Sequence, residues 1–228
     1  DCSSRGLGDV YKRQDPLLTT NLPANITAST GIDAMVHAIE AFTSINSNNN
    51  PVSKMLSIEA LKLLGSSIKT AVFDGHNINA RSNMLLGSML AGKAFANSPV
   101  AAVHALAYPI GGLFNISHGL SNSLVLTSVM KFNSKNEETK KNYAHLAPHV
   151  FKNLVNSKND EFLCNNFIDG LERLCKELNL PYRLRDLEIP KEACKLMASE
   201  AMKQTRLLVN NPRKIEESDA YNIYKSVW

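Results

Sequence analysis

Several signals by which a sequence announces its chemistry are missing here. The eleven glycines include no G-x-G-x-x-G fingerprint, so no loop suited to a dinucleotide pyrophosphate can be read. None of the four cysteines belongs to a C-x-x-C pair, which excludes a cysteine zinc site of the usual spacing. Cys164 and Cys175 fall in one helical stretch, eleven residues and roughly 16 Å apart, too far for a disulfide. The thiols are expected to be reduced, as in a cytoplasmic protein. No apolar run reaches the length of a membrane span, and the first residues lack the apolar core of a signal peptide. Net charge is only +4, with Lys and Arg interleaved among acids, so there is no nucleic-acid footprint. Hairpin turns, βαβ alternation, repeats and low-complexity linkers are also lacking.

What remains is helix. The 228 residues are 44% hydrophobic and 20% charged, enough for a sizeable core. Pro51 opens one long amphipathic stretch. A second, "DEFLCNNFIDGLERLCKELNL", places Phe162, Leu163, Phe167, Leu171, Leu174 and Leu178 on one stripe. "VAAVHALAYPIGGLF" reads as a helix ended by Gly111 and Gly112, with re-entry into helix capped by Ser117. The expected architecture is all-α, a layered helical bundle over residues 15–228. Residues 1–14, "DCSSRGLGDVYKRQ", have no periodicity, and "SRGLGDVYKRQ" resembles a translated sequencing adaptor. That stretch is expected to be a disordered, non-native scar, with the natural sequence upstream of Asp15 missing.

The run "GIDAMVHAIEAF" raises the chemical question. It is almost wholly apolar, yet Asp33 and His37 sit four residues apart on one helical face. Charged groups go inside when paired or bound to a metal. His104 and His118 lie in the equally apolar or glycine-rich "VHALAYPIGGLFNISHGLSN". A chain break between them can bring the second imidazole back toward the first, and Gly119 permits close backbone approach. One carboxylate and three imidazoles suit a borderline divalent cation: Fe, Zn or, less readily, Mn. The plainer alternative is that these are core residues bonded to one another. His76 reads as a solvated loop residue. His145 and His149 share a face beside Lys140, Lys141 and Pro148, and are not expected to hold metal.

"TGIDAMVHAIEAFTS", "AGKAFANSPVAAVHALAYPIGGLFNISHGLSNSLVL" and "NPRKIEESDAYNIYKSVW" resemble the iron-containing (group III) alcohol dehydrogenases over nearly all of residues 15–228. The resemblance implies a dehydroquinate synthase-like C-terminal domain that follows an α/β nucleotide-binding domain absent from this chain. It implies metal ligands at Asp33, His37, His104 and His118, with Fe2+ or Zn2+ as the ion. It implies hydride transfer between a small alcohol or aldehyde and NAD or NADP, the metal acting as Lewis acid on the alcohol oxygen. A homo-oligomer is implied for the full-length protein. Many members carry a histidine four residues after the third ligand; here Tyr108 stands in that place, as a catalytic or pocket-lining residue. A phenol donates a hydrogen bond readily but is a poor proton acceptor at neutral pH. Cofactor-binding residues are unknown, and this chain alone is expected to be inactive.

Other readings stay open at this point. A hydroxyacid–oxoacid transhydrogenase or a diol oxidoreductase would share these motifs. A metal-dependent hydrolase would need a general base, for which Glu40 is the neighbour in sequence, although no H-E-x-x-H exists. A metal-free helical interaction domain would use the histidines as core.

Overall fold

A computed structural model describes residues 15–155 and 159–228. The adaptor-like stretch 1–14 lies outside the described residues. Ten α-helices run through the rest, and among the described residues there is no strand. They are α1 Ala24–Thr43, α2 Pro51–Phe73, α3 Ile78–Asn97, α4 Ala102–Phe114 and α5 His118–Asn133. The chain continues with α6 Glu137–Val150, α7 Asp160–Glu177, α8 Ala193–Met202, the single turn α9 Thr205–Leu208 and α10 Glu217–Ser226. The all-α, layered reading therefore holds. No described helix is long and apolar enough to cross a membrane.

Asparagine starts many of these helices. Asn50 accepts from the backbone N–H groups of Val52 and Ser53, both at 3.0 Å, with Pro51 in the first turn where its missing N–H does no harm. Asn77, Asn136 and Asn159 cap α3, α6 and α7 in the same way. Ser117 does not: it precedes α5, but its side chain makes no cap bond. Its contribution is its carbonyl, which accepts from the Ser121 N–H and Oγ.

The axis of the bundle is α1. Most of its residues are buried, because α2, α3, α5 and α6 pack around it. The second layer is joined through α4 on α5 and α8, and α10 on α8. Tyr224, fully buried on α10, donates to the Leu106 carbonyl at 2.6 Å and fixes α10 beneath α4. Cys164, Cys175 and Cys194 are buried free thiols.

The break between the two histidine-bearing helices falls later than expected. Gly111 and Gly112 lie inside α4, whose turn also contains Pro109. The terminator is Asn115, at φ 57°, the left-handed conformation that asparagine tolerates better than other side-chain-bearing residues. Glycine permits a helix end without requiring one, and here the helix continues through Phe114. Gly119 behaves as expected. A Cβ built there would lie 2.5 Å from the Ser29 carbonyl oxygen, so α5 begins hard against the backbone of α1.

Candidate metal centre

Three helices aim polar side chains at one point. From α1 come Asp33, His37 and Glu40; the spacings of four and three keep them on one stripe of the helix. From α4 comes His104, one turn before Tyr108, and from α5 come His118 and Asn122. Donor atoms of Asp33, His104 and His118 all lie within 4.8 Å of one another. Asp33 Oδ1 is 3.8 Å from His104 Nε2 and 3.6 Å from His118 Nε2. His37 stands alongside, its ring centroid 4.5 Å from that of His104 and 4.8 Å from that of Phe95. Tyr108 is half-buried, its ring 6.0 Å from that of His118.

The hydrogen bonds around the rings decide which nitrogens carry lone pairs. His104 Nδ1 donates to Glu40 Oε2 at 2.7 Å, a carboxylate oxygen that also accepts from the Ala101 N–H. Its proton is therefore on Nδ1. In the neutral ring that tautomer leaves a lone pair on Nε2, which is buried and has no hydrogen-bond partner. His37 Nδ1 donates to the Asp33 carbonyl at 2.8 Å, which frees its Nε2 in turn. Burial, helped by the neighbouring His104, lowers the His37 pKa against the opposing pull of Asp33, so the ring is neutral near pH 7. Asn122 is fully buried, and its amide donates to Asp33 Oδ1 at 2.5 Å and to His118 Nε2 at 3.1 Å. His118 Nε2 is thus also an acceptor.

The partnerless His104 Nε2 consequently faces Asp33 Oδ1, an acceptor, with His118 Nε2 beside them and the Asn122 amide as the donor that Asp33 and His118 share. At 3.6 and 3.8 Å the ring nitrogens are too far from Asp33 Oδ1 to be hydrogen-bonded. The spacing is close to that of ligand atoms around one ion: metal–ligand bonds of about 2.1 Å at tetrahedral angles set neighbouring donors roughly 3.4 Å apart. The donor chemistry, nitrogen and oxygen without thiolate, suits iron or zinc. The residues present fit a divalent cation.

The expected residues divide as follows. Asp33, His104 and His118 converge. His37 adjoins them, with Nδ1 turned onto its own helix. Tyr108 borders the cluster on the His118 side. His145 and His149 pair edge to face on α6, away from this group, and His76 is exposed in a loop. Two residues escaped the sequence reading as parts of the site. Asn122 sits four residues after His118, a spacing that itself marks a shared face. Glu40 is 4% exposed and accepts three hydrogen bonds, including Val103 N–H to Oε1 at 2.6 Å. A carboxylate this deep in an apolar run, with no partner near in sequence, was the signal. Both its oxygens are engaged, so it is not placed to act as the base of a hydrolase.

Comparisons with known proteins agree on one family. The family model described as "Fe-containing alcohol dehydrogenase family, C-terminal" matches residues 27–228. Long-chain-alcohol dehydrogenase 1 of Geobacillus thermodenitrificans is 37% identical over 219 residues, covering 94% of this chain and 53% of that protein. A crystal structure of 1,3-propanediol oxidoreductase superposes with a TM-score of 0.88 at 33% identity, over 94% of this chain and 55% of its own. Sulfoacetaldehyde reductase from Bifidobacterium kashiwanohense, solved in complex with NAD+, gives 0.79 at 26% identity over 93% and 53%. The chain thus spans about half the length of the relatives it matches. It belongs to the Fe-containing alcohol dehydrogenase family, and residues 27–228 correspond to that family's C-terminal, helical part.

Proposed function

We propose that Asp33, His37, His104 and His118 hold one divalent cation, Fe2+ or Zn2+, in the helical catalytic domain (residues 15–228) of an alcohol dehydrogenase. The whole enzyme passes hydride between a small alcohol or aldehyde and a nicotinamide cofactor, NAD or NADP. One observation carries the reading: the buried Nε2 of His104, partnerless, faces Asp33 Oδ1 and stands in one cluster with His118 Nε2. An unpaired buried nitrogen costs about 1–3 kcal/mol, which coordination removes. That cost argues against a metal-free interaction domain.

A cation bound there supplies Lewis acidity to the substrate oxygen. The chain's own residues do the rest. Asp33 contributes the one negative charge, and the imidazoles contribute neutral donors. The Phe95 ring packs against His37 and holds that imidazole beside the cluster. Tyr108, at the rim, is placed to donate a hydrogen bond toward a substrate oxygen. Relatives named for a long-chain alcohol, 1,3-propanediol and sulfoacetaldehyde support alcohol or carbonyl chemistry without fixing the chain length. The relative solved with NAD+ supports a nicotinamide carrier.

The direct test is metal titration of the chelator-stripped chain, with Co2+ as a spectroscopic probe and Zn2+ in competition. We expect one ion per chain, visible-region bands of a nitrogen- and oxygen-ligated site, and loss of binding in His104→Ala and His118→Ala. Undiminished binding in both variants, or none in the wild type, rejects the assignment. Tyr108→Phe should leave metal affinity unchanged and lower kcat of the full-length enzyme by about 100-fold; an unaltered rate makes Tyr108 a wall residue only.

A further inference from the structure

We infer that Glu40 is a positioning residue of the metal centre, one that fixes the protonation pattern of His104 by the same contacts that start α4. The inference rests on the metal reading given above. Its basis is a single buried carboxylate with three donors. Oε1 accepts from the Val103 N–H at 2.6 Å, and Oε2 accepts from the Ala101 N–H at 3.0 Å and His104 Nδ1 at 2.7 Å.

The first two bonds do the work of a helix cap. The residue preceding α4 is Ala101, which has no side-chain oxygen, and α4 has no side-chain cap of its own. The first N–H groups of a helix need acceptors and favour negative charge. Glu40 meets both needs from across the helix interface. The third bond acts on chemistry. An imidazole held by a carboxylate at Nδ1 keeps its proton there and offers Nε2 as a lone pair of increased basicity, the arrangement by which carboxylates orient metal-binding histidines. His104 is the third residue of α4, so the segment that Glu40 anchors is the one that carries the donor. Asp33 and Glu40 lie two turns apart on α1. One rigid rod thus supplies a prospective ligand and the group that aims another.

Glu40→Gln keeps the shape and breaks the logic. A carboxamide has one acceptor oxygen and an NH2 group in place of the second. With the oxygen toward His104, the NH2 meets the Val103 N–H head on. Turned the other way, it meets the Ala101 N–H and His104 Nδ1, and the ring must then move its proton to Nε2. Both arrangements oppose coordination, and metal affinity is expected to fall about 10–100-fold. The control is Ser98→Ala, which removes a buried bond from Ser98 Oγ to the Ala41 carbonyl at the same α1 junction and leaves His104 untouched.

The experiment measures Zn2+ affinity by chelator competition in wild type, Glu40→Gln and Ser98→Ala. It also records imidazole nitrogen shifts of the metal-free chains labelled with 15N-histidine. The expected result is His104 with its proton on Nδ1 in the wild type, a mixed or reversed pattern in Glu40→Gln, and loss of affinity in that variant alone. The inference is overturned if wild-type His104 carries its proton on Nε2. It is equally overturned if Glu40→Gln stays within about threefold of Ser98→Ala, a difference below 1 kcal/mol. The wild-type shifts decide the matter even should Glu40→Gln not fold. Absence of Zn2+ uptake by the wild type instead removes the metal reading, while the shifts still report what Glu40 does to His104.

Discussion

Replacing Gly119 by alanine tests the packing that sets His118 against Asp33. The added Cβ would stand 2.5 Å from the Ser29 carbonyl oxygen, 2.8 Å from its carbonyl carbon and 3.2 Å from the Thr30 nitrogen. All three are backbone atoms of α1, so no flexible side chain can give way. Ordinary contact begins near 3.4 Å, so the two helices must part by about 0.9 Å, the difference between 3.4 and 2.5. Overpacking of this kind costs typically 1–3 kcal/mol, and the gain in helix propensity on replacing glycine offsets up to about 1. Because only backbone atoms can yield, the upper part of that range applies, and a net loss of about 1–2 kcal/mol remains, or roughly 2–8 °C in Tm for a chain of this size. The same parting draws His118, the preceding residue, away from Asp33, so metal affinity falls as well. Calorimetry with and without Zn2+ measures both effects. Gly92→Ala is the internal standard: it lies in α3 with nothing within 4 Å of the added methyl, and should stabilise by about 0.4–1 kcal/mol. The reasoning is refuted if Gly119→Ala melts at or above wild type, as an open helical site would.

Three further outcomes follow from other parts of the molecule. Arg81 is buried and donates to the Gly75 carbonyl, Thr27 Oγ1 and the Leu22 carbonyl at 2.8, 2.7 and 3.2 Å; Arg81→Ala strands these acceptors and should cost about 2–4 kcal/mol in urea unfolding. Burial pushes the Cys164 and Cys175 thiols up to about 11 and about 12, so iodoacetamide at pH 8 should label these two, followed by mass spectrometry, only as the chain unfolds. Burial, then His145 and Lys62, lower the His149 pKa, so the unfolded chain binds the proton more tightly there; this contribution to stability is complete above the ordinary imidazole value and is lost as pH falls through the folded one. NMR titration of His145→Gln should show the His149 midpoint rising, and an unmoved midpoint excludes the coupling.

Much of the site was legible because its residues break the pattern of their surroundings. Asp33 and His37 contradict an apolar helix at a spacing that fixes their common face, and His104 does the same in α4. Periodicity also gave the helical class, since an amphipathic stripe such as that of α7 needs only local information. What stayed hidden depends on contacts between helices. Glu40 stood in the sequence only as the acid nearest His37, a possible hydrolase base; its partners lie some sixty residues later and meet it only because α1 packs beside the start of α4. Asn122 looked like one more polar residue of α5 until Asp33 was brought to it from another element. The position of the chain break was misjudged for a related reason: Gly111 and Gly112 could end a helix, yet Asn115 does so.

The three converging donors differ sharply in their access to water. The His118 side chain is 47% exposed, that of Asp33 19% and that of His104 2%. This ordering gives the site a mouth and a floor. On the proposed metal reading, an ion arriving from solvent would meet the outermost imidazole first and the innermost nitrogen last, and a chelator would approach from the outer end. Release should therefore be paced by what happens at His118, even where affinity is set by what lies beneath it.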